Sequence, residues 1–123
     1  MQVTVTTSQH DGVFVLAFGG DIDVASAVTV RDALDRVIAA GHHTIVLDLS
    51  EVRFLDSTGL GVMVGRLKAV RDLEGDMHLV CTSRRIQRVM SITGLDDVFA
   101  IHASVDEAVA ALGDESAEPA LAD

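Results

Sequence analysis

The chain of 123 residues has no Trp, no Tyr, one Cys, one Pro and one Lys. With four Phe as its only aromatics apart from five His, it lacks a platform on which nucleic-acid bases could stack. Cys81 has no partner for an internal disulfide and cannot build a thiolate metal cluster alone. The histidines show no metal-ligand spacing, so no metal or other cofactor is expected. The longest apolar run, VFVLAF at residues 13–18, is far shorter than the roughly 20 residues a bilayer-crossing helix needs. The opening MQVTVTTSQHDG has neither the basic flank nor the apolar stretch of a signal peptide. Basic charge is also scarce: nineteen acids against nine bases give a net charge of −10, which repels phosphate backbones. These absences lead to the expectation of a cytoplasmic protein that engages neither nucleic acid nor membrane.

What is present is apolar. Hydrophobic residues make up 49% of the chain, and a chain of this length buries roughly two-thirds of its unfolded surface, enough for one core. Val3 and Val5 alternate with threonines, His10-Asp11-Gly12 supplies turn residues, and VFVLAF follows, which reads as a β-hairpin. Gly19-Gly20 is expected to break its second strand, and Asp23 to cap a helix over about residues 24–40. Val30, Ala33, Leu34, Val37 and Ile38 form the apolar stripe of that helix, and Gly41 ends it. TIVLDL at 44–49 has the continuous apolar character of a strand buried on both faces. A second helix is expected from Thr58 to about Arg71, a strand at 77–81, and a short helix capped by Ser83 and ended by Gly94. A last strand at 98–101 precedes a capping-box sequence, Ser104 to Glu107, opening a helix that ends near Leu112 and Gly113. The alternation predicts an α/β domain over residues 1–113, with a mixed sheet of about five strands and four helices. Residues 114–123 carry four acids and no base, and are expected to be disordered.

The most informative stretch is LDLSEVRFLDSTGLG, residues 47–61. A buried strand leads through a loop to Asp56 and Ser57 at a helix N-terminus, where backbone N–H groups are unpaired and the macrodipole is positive. Serine there is first of all an N-cap. Gly59 and Gly61 fall in the first helical turns, where each costs about 0.5–1 kcal/mol relative to alanine. Close packing on the sheet or approach of a large external group would each explain them.

This stretch, with the upstream GGDIDVASAVTVRDAL and the downstream VMSITGLDDVFAIHASVDEAV, resembles the bacterial anti-sigma factor antagonists, the small STAS domains. The resemblance spans residues 19–112 in unbroken segment order. It implies that Ser57, in the family's D-S-[ST]-G-L-G motif, is phosphorylated by an anti-sigma factor that is itself a serine kinase. It implies further that the unphosphorylated chain binds that kinase and frees a sigma factor, and that a phosphoserine phosphatase reverses the modification. Thr58 offers a second hydroxyl beside Ser57. Asp21, Asp23, Asp56, Ser57, Thr58, Gly59 and Gly61 are expected around the contact surface, with Leu60 and Met63 as apolar contacts. The resemblance implies a switch and not an enzyme.

Two other readings stand beside it. Asp21-Ile22-Asp23 after an apolar strand has the DxD spacing of an aspartate-dependent phosphatase or phosphotransferase, but Lys68 is the only lysine available for phosphate. A STAS module that scaffolds a stress-sensing complex is the other. Arg84, Arg85 and Arg88 form a small basic patch read as a solvated face.

Overall fold

Asp11 and Gly12 both take positive φ, 52° and 84°, and this tight turn matches the right-handed twist of the strands it joins. It connects β1 (Thr4–His10) to β2 (Val13–Ile22) in an antiparallel hairpin, as the alternating pattern predicts. The computed structural model describes residues 3–121, with side chains through residue 113. The remaining elements are α1 (Ala27–Ala39), β3 (Thr44–Leu55), α2 (Ser57–Asp72), β4 (Asp76–Val80), α3 (Arg84–Ile92), a short 3₁₀ turn (Leu95–Asp97), β5 (Ile101–His102) and α4 (Val105–Leu121). The five strands lie in sequence order, with β2, β3, β4 and β5 parallel. This is the α/β fold with a mixed sheet and four helices that the sequence predicts.

Strand alternation divides the core. Leu16, Phe18, Ile45, Leu47 and Leu79 face a layer of α1, α2 and α3, which contribute Leu34, Met63, Leu67 and Ile86 among others. Val13, Val15, Val46 and Val80 point the other way, onto Ala108, Val109 and Leu112 of α4. The 44–49 run is therefore buried on both faces, as its composition implies.

Several boundaries differ from the sequence reading. Gly19-Gly20 does not break β2; the register against β3 shifts between Ala17 and Gly19 and again between Gly20 and Asp21. Gly20 takes φ 92°, so the glycine pair bends the strand through bulges and lets it continue to Ile22. β3 continues to Leu55, because its second half pairs with that bent extension. The last strand is Ile101–His102, displaced from 98–101 by the 3₁₀ turn and the segment that follows it. Finally, α4 runs past Leu112 and Gly113 to Leu121, since Gly113 takes no left-handed backbone that would stop it. Of the segment expected to be disordered, 114–121 is thus helical in backbone, and 122–123 lie outside the described residues.

Candidate functional site

The C-terminal ends of β2 and β3 deliver two loops to the same end of the sheet. Asp21 pairs in register with Phe54 and Ile22 with Leu55, and the Asp56 N–H donates to the Ile22 carbonyl at 3.2 Å. The segments carrying Asp21 and Asp23 therefore lie beside the start of α2.

Asp56, and not Ser57, caps α2. Its backbone is extended (φ −103°, ψ −177°), and its carboxylate accepts the N–H groups of Thr58 at 3.0 Å and Gly59 at 3.3 Å. β3 stays extended up to Leu55, so the half-in capping position falls one residue earlier than the serine, and an ionised acceptor suits the positive helix end. Ser57 becomes the first helical residue. Its exposed hydroxyl makes no hydrogen bond among the described residues and projects at the end of the helix.

Asp23 likewise does not begin a helix at Val24. It orders a loop: its carboxylate accepts the N–H groups of Ala25 and Ser26, both at 3.0 Å, and the Ser26 hydroxyl at 3.1 Å. The Ser26 side chain also reaches the Asp21 carbonyl at 2.8 Å. The Ser26 N–H foremost, with the Ser26 hydroxyl and the Ala25 N–H, holds the Asp23 carboxyl below the ordinary carboxylate range. Asp23 thus staples the β2–α1 loop through Oδ1, which takes all three of these hydrogen bonds.

The predicted contact residues divide by exposure. Ser57, Thr58 and Gly61 are exposed, and Asp21, Asp23 and Asp56 are half-buried. Leu60 and Met63 are corrections: at 6% and 1% exposure they belong to the core under α2 and have no surface to offer. Gly59 is also buried, against Ile22 and Leu55, which favours the close-packing reading for it. Gly61 has nothing near the place a Cβ would occupy, so no internal contact requires it. The apolar surface beside the acids comes instead from Val24, 71% exposed in the β2–α1 loop, and Phe54, 46% exposed opposite Asp21. Sequence periodicity missed both, because loop and strand-end positions carry no helical stripe by which to sort them.

A second polar cluster lies on the α4 side of the sheet. His78 Nδ1 and His102 Nε2 are 3.0 Å apart, the rings stack at 5.1 Å, and His78 Nε2 stands 3.4 Å from Asp76 Oδ2. Burial first, then the neighbouring His78, lowers the His102 pKa, while Glu107 opposes the shift.

Residues 4–108 match the STAS domain family. The chain belongs to it. Among curated proteins it is similar to the anti-sigma-B factor antagonist of Staphylococcus epidermidis, 32% identical over 102 residues that cover 83% of this chain and 94% of that protein. Among solved structures it is similar to an anti-sigma factor antagonist from Mycobacterium paratuberculosis, with TM-score 0.83, 31% identity and coverage of 89% and 93%. The Bacillus cell fate determinant SpoIIAA in its phosphorylated form shares the fold at TM-score 0.67 and 22% identity, over 86% and 96% of the two chains. In this STAS domain the serine of the D-S-T-G-L-G motif stands at the exposed corner where the two loops meet.

Proposed function

We propose that this STAS domain is an anti-sigma factor antagonist switched by phosphorylation of Ser57. The unphosphorylated chain binds an anti-sigma factor serine kinase through the corner formed by the β2–α1 loop and the start of α2, and thereby frees a sigma factor. The observation that carries this reading is the Asp56 cap, which leaves the Ser57 hydroxyl exposed and unengaged. Similarity to proteins named as antagonists supplies the class of partner.

A phosphoserine adds about −1.5 to −2 charges and three acceptor oxygens. At the N-terminus of α2 the dipole tolerates that charge, so the domain stays folded. Asp56 adjoins it in sequence, and the end of β2 bearing Asp21 and the loop bearing Asp23 lie alongside. Burying a dianion among these acids within an interface opposes association by like charge and desolvation. Modification thus closes the contact surface without refolding it, and a phosphoserine phosphatase reopens it. The chain acts in this reading as a regulatory surface in the cytoplasm, and the kinase supplies the ATP chemistry.

The test is incubation with the cognate kinase and ATP, with the phosphate mapped by mass spectrometry. One phosphate on Ser57, none on a Ser57→Ala chain, and loss of kinase binding after modification are expected. Phosphate on Thr58 or Asp56, or undiminished binding by the modified chain, overturns the reading.

A further inference from the structure

The helix-side face of the β1–β2 hairpin is incompletely covered. Thr7 pairs with Leu16 and Val5 with Phe18, so Val5 and Thr7 point toward the same layer as the core. Val5 and Phe14 pack against that core yet stay only partly buried, and Thr7 is exposed. Between this hairpin and α1 runs a groove of about 440 Å³, within the range that holds a small organic ligand. Its floor and walls are mostly apolar, built by Val5, Phe14, Leu16, Ala33 and Val37, with Thr7 and Thr29 also on the lining.

Among the described residues, the one charged side chain lining the groove is a cation. Arg36, in the last turn of α1, lines it and makes no ion pair among the described residues, although the chain carries nineteen acids. His42 lines the groove just beyond and lies against the Phe14 ring, with centroids 4.5 Å apart. The last carbonyls of α1 do not require the guanidinium, since those of Arg36, Val37 and Ile38 already accept the N–H groups of Ala40, His42 and Gly41. An apolar trough ending in an unpaired guanidinium and an imidazole is complementary to one chemistry: a hydrocarbon body with a single anionic head.

We propose that the groove between the β1–β2 hairpin and α1 is a binding site for a small amphipathic carboxylate. The alkyl portion lies over Phe14, Leu16 and Val37, and the carboxylate meets Arg36, with His42 beside it. This site is separate from the Ser57 corner and does not depend on the function proposed above.

The test is titration of the full chain with sodium octanoate, followed by amide NMR, with 1-octanol as the neutral counterpart. Saturable shifts are expected at Val5, Thr7, Phe14 and Val37, with the amides of His78 and His102 across the sheet unmoved. Arg36→Glu should weaken octanoate by about tenfold or more, because it reverses the charge that meets the head. Ala40→Trp, at an exposed position on the groove, should block binding while leaving the remaining spectrum in place. Equal affinity for 1-octanol, or unchanged affinity in Arg36→Glu, overturns the proposal. So does a concentration-dependent shift of the same amides without ligand, which would make a second copy of the chain the occupant.

Discussion

Gly59 and Ile22 meet where α2 crosses the end of β2: a Cβ on Gly59 would fall 2.6 Å from Ile22 Cγ2 and 2.8 Å from Leu55 Cδ1. The absence of a side chain lets the first turn of α2 settle onto the sheet, so the end carrying Ser57 stands next to the Asp23 loop. At Gly61, two residues later, an added Cβ would meet nothing within 4 Å, and the position is helical and exposed.

The two glycines should therefore respond oppositely to alanine. Gly59→Ala overpacks the junction and should destabilise by about 1–3 kcal/mol. Gly61→Ala gains helix propensity and should stabilise by about 0.5–1 kcal/mol. Urea unfolding of both variants decides it, and equal effects would show that the junction yields freely.

The helix cap makes a second distinction, between neighbours. Asp56→Ala removes the acceptor for two N–H groups and should cost about 0.5–2 kcal/mol. Ser57→Ala removes no cap and should leave stability within about 0.5 kcal/mol of the parent. Thermal melts of the pair measure this directly.

Much of this was legible in the sequence, and the remainder shows which physics a one-dimensional pattern lacks. The hairpin follows from alternation and turn residues, the doubly buried strand from a continuous apolar run, and the stripe of Val30, Leu34 and Val37 from helical period. Ser57 at the start of a helix was legible too, but its exact position was not. Whether serine or aspartate takes the cap depends on where β3 stops being extended, and that depends on its pairing with the bulged end of β2. Leu60 and Met63 were misplaced for a related reason. They sit beside the motif in sequence, yet helical rotation turns both toward the sheet. Val24 and Phe54 became visible as surface only once both loops were in place.

His102 sets a pH dependence. His102 has a lowered pKa in the folded chain, so between that value and the ordinary one, about 6.5, the unfolded chain binds more protons. Stability should be fully present above about pH 6.5 and decline as pH falls through the folded pKa. His102→Gln should flatten this part of the profile, as read from denaturant midpoints across the range. An unchanged slope in the variant would assign the titration elsewhere.

Among the described side chains of α4, Leu112 is the last that is buried. We expect the last ten residues to contribute little to the core, and a chain ending at Gly113 to melt within about two degrees of the parent. A drop of several degrees would show that the segment packs.

The most demanding prediction separates charge from fold at Ser57. Ser57→Asp places a carboxylate at the first position of α2, where the macrodipole favours it by about 0.3–1 kcal/mol. Repulsion from the neighbouring Asp56 works against that gain, so stability should change little. Binding is different, because the new charge must be desolvated beside Asp21, Asp23 and Asp56 if the corner docks onto a partner. Affinity for the kinase should fall by about 1–3 kcal/mol, roughly ten- to hundredfold. Ser57→Ala adds no charge, leaves the cap in place and should bind like the parent. The loss in Ser57→Asp should also shrink as salt rises, because the corner is exposed and its charges are screened over about 8–10 Å. Calorimetric titrations at low and moderate salt, run beside melts of both variants, separate the two quantities. If Ser57→Asp binds as tightly as the parent at both salt concentrations, charge at this corner does not govern the switch.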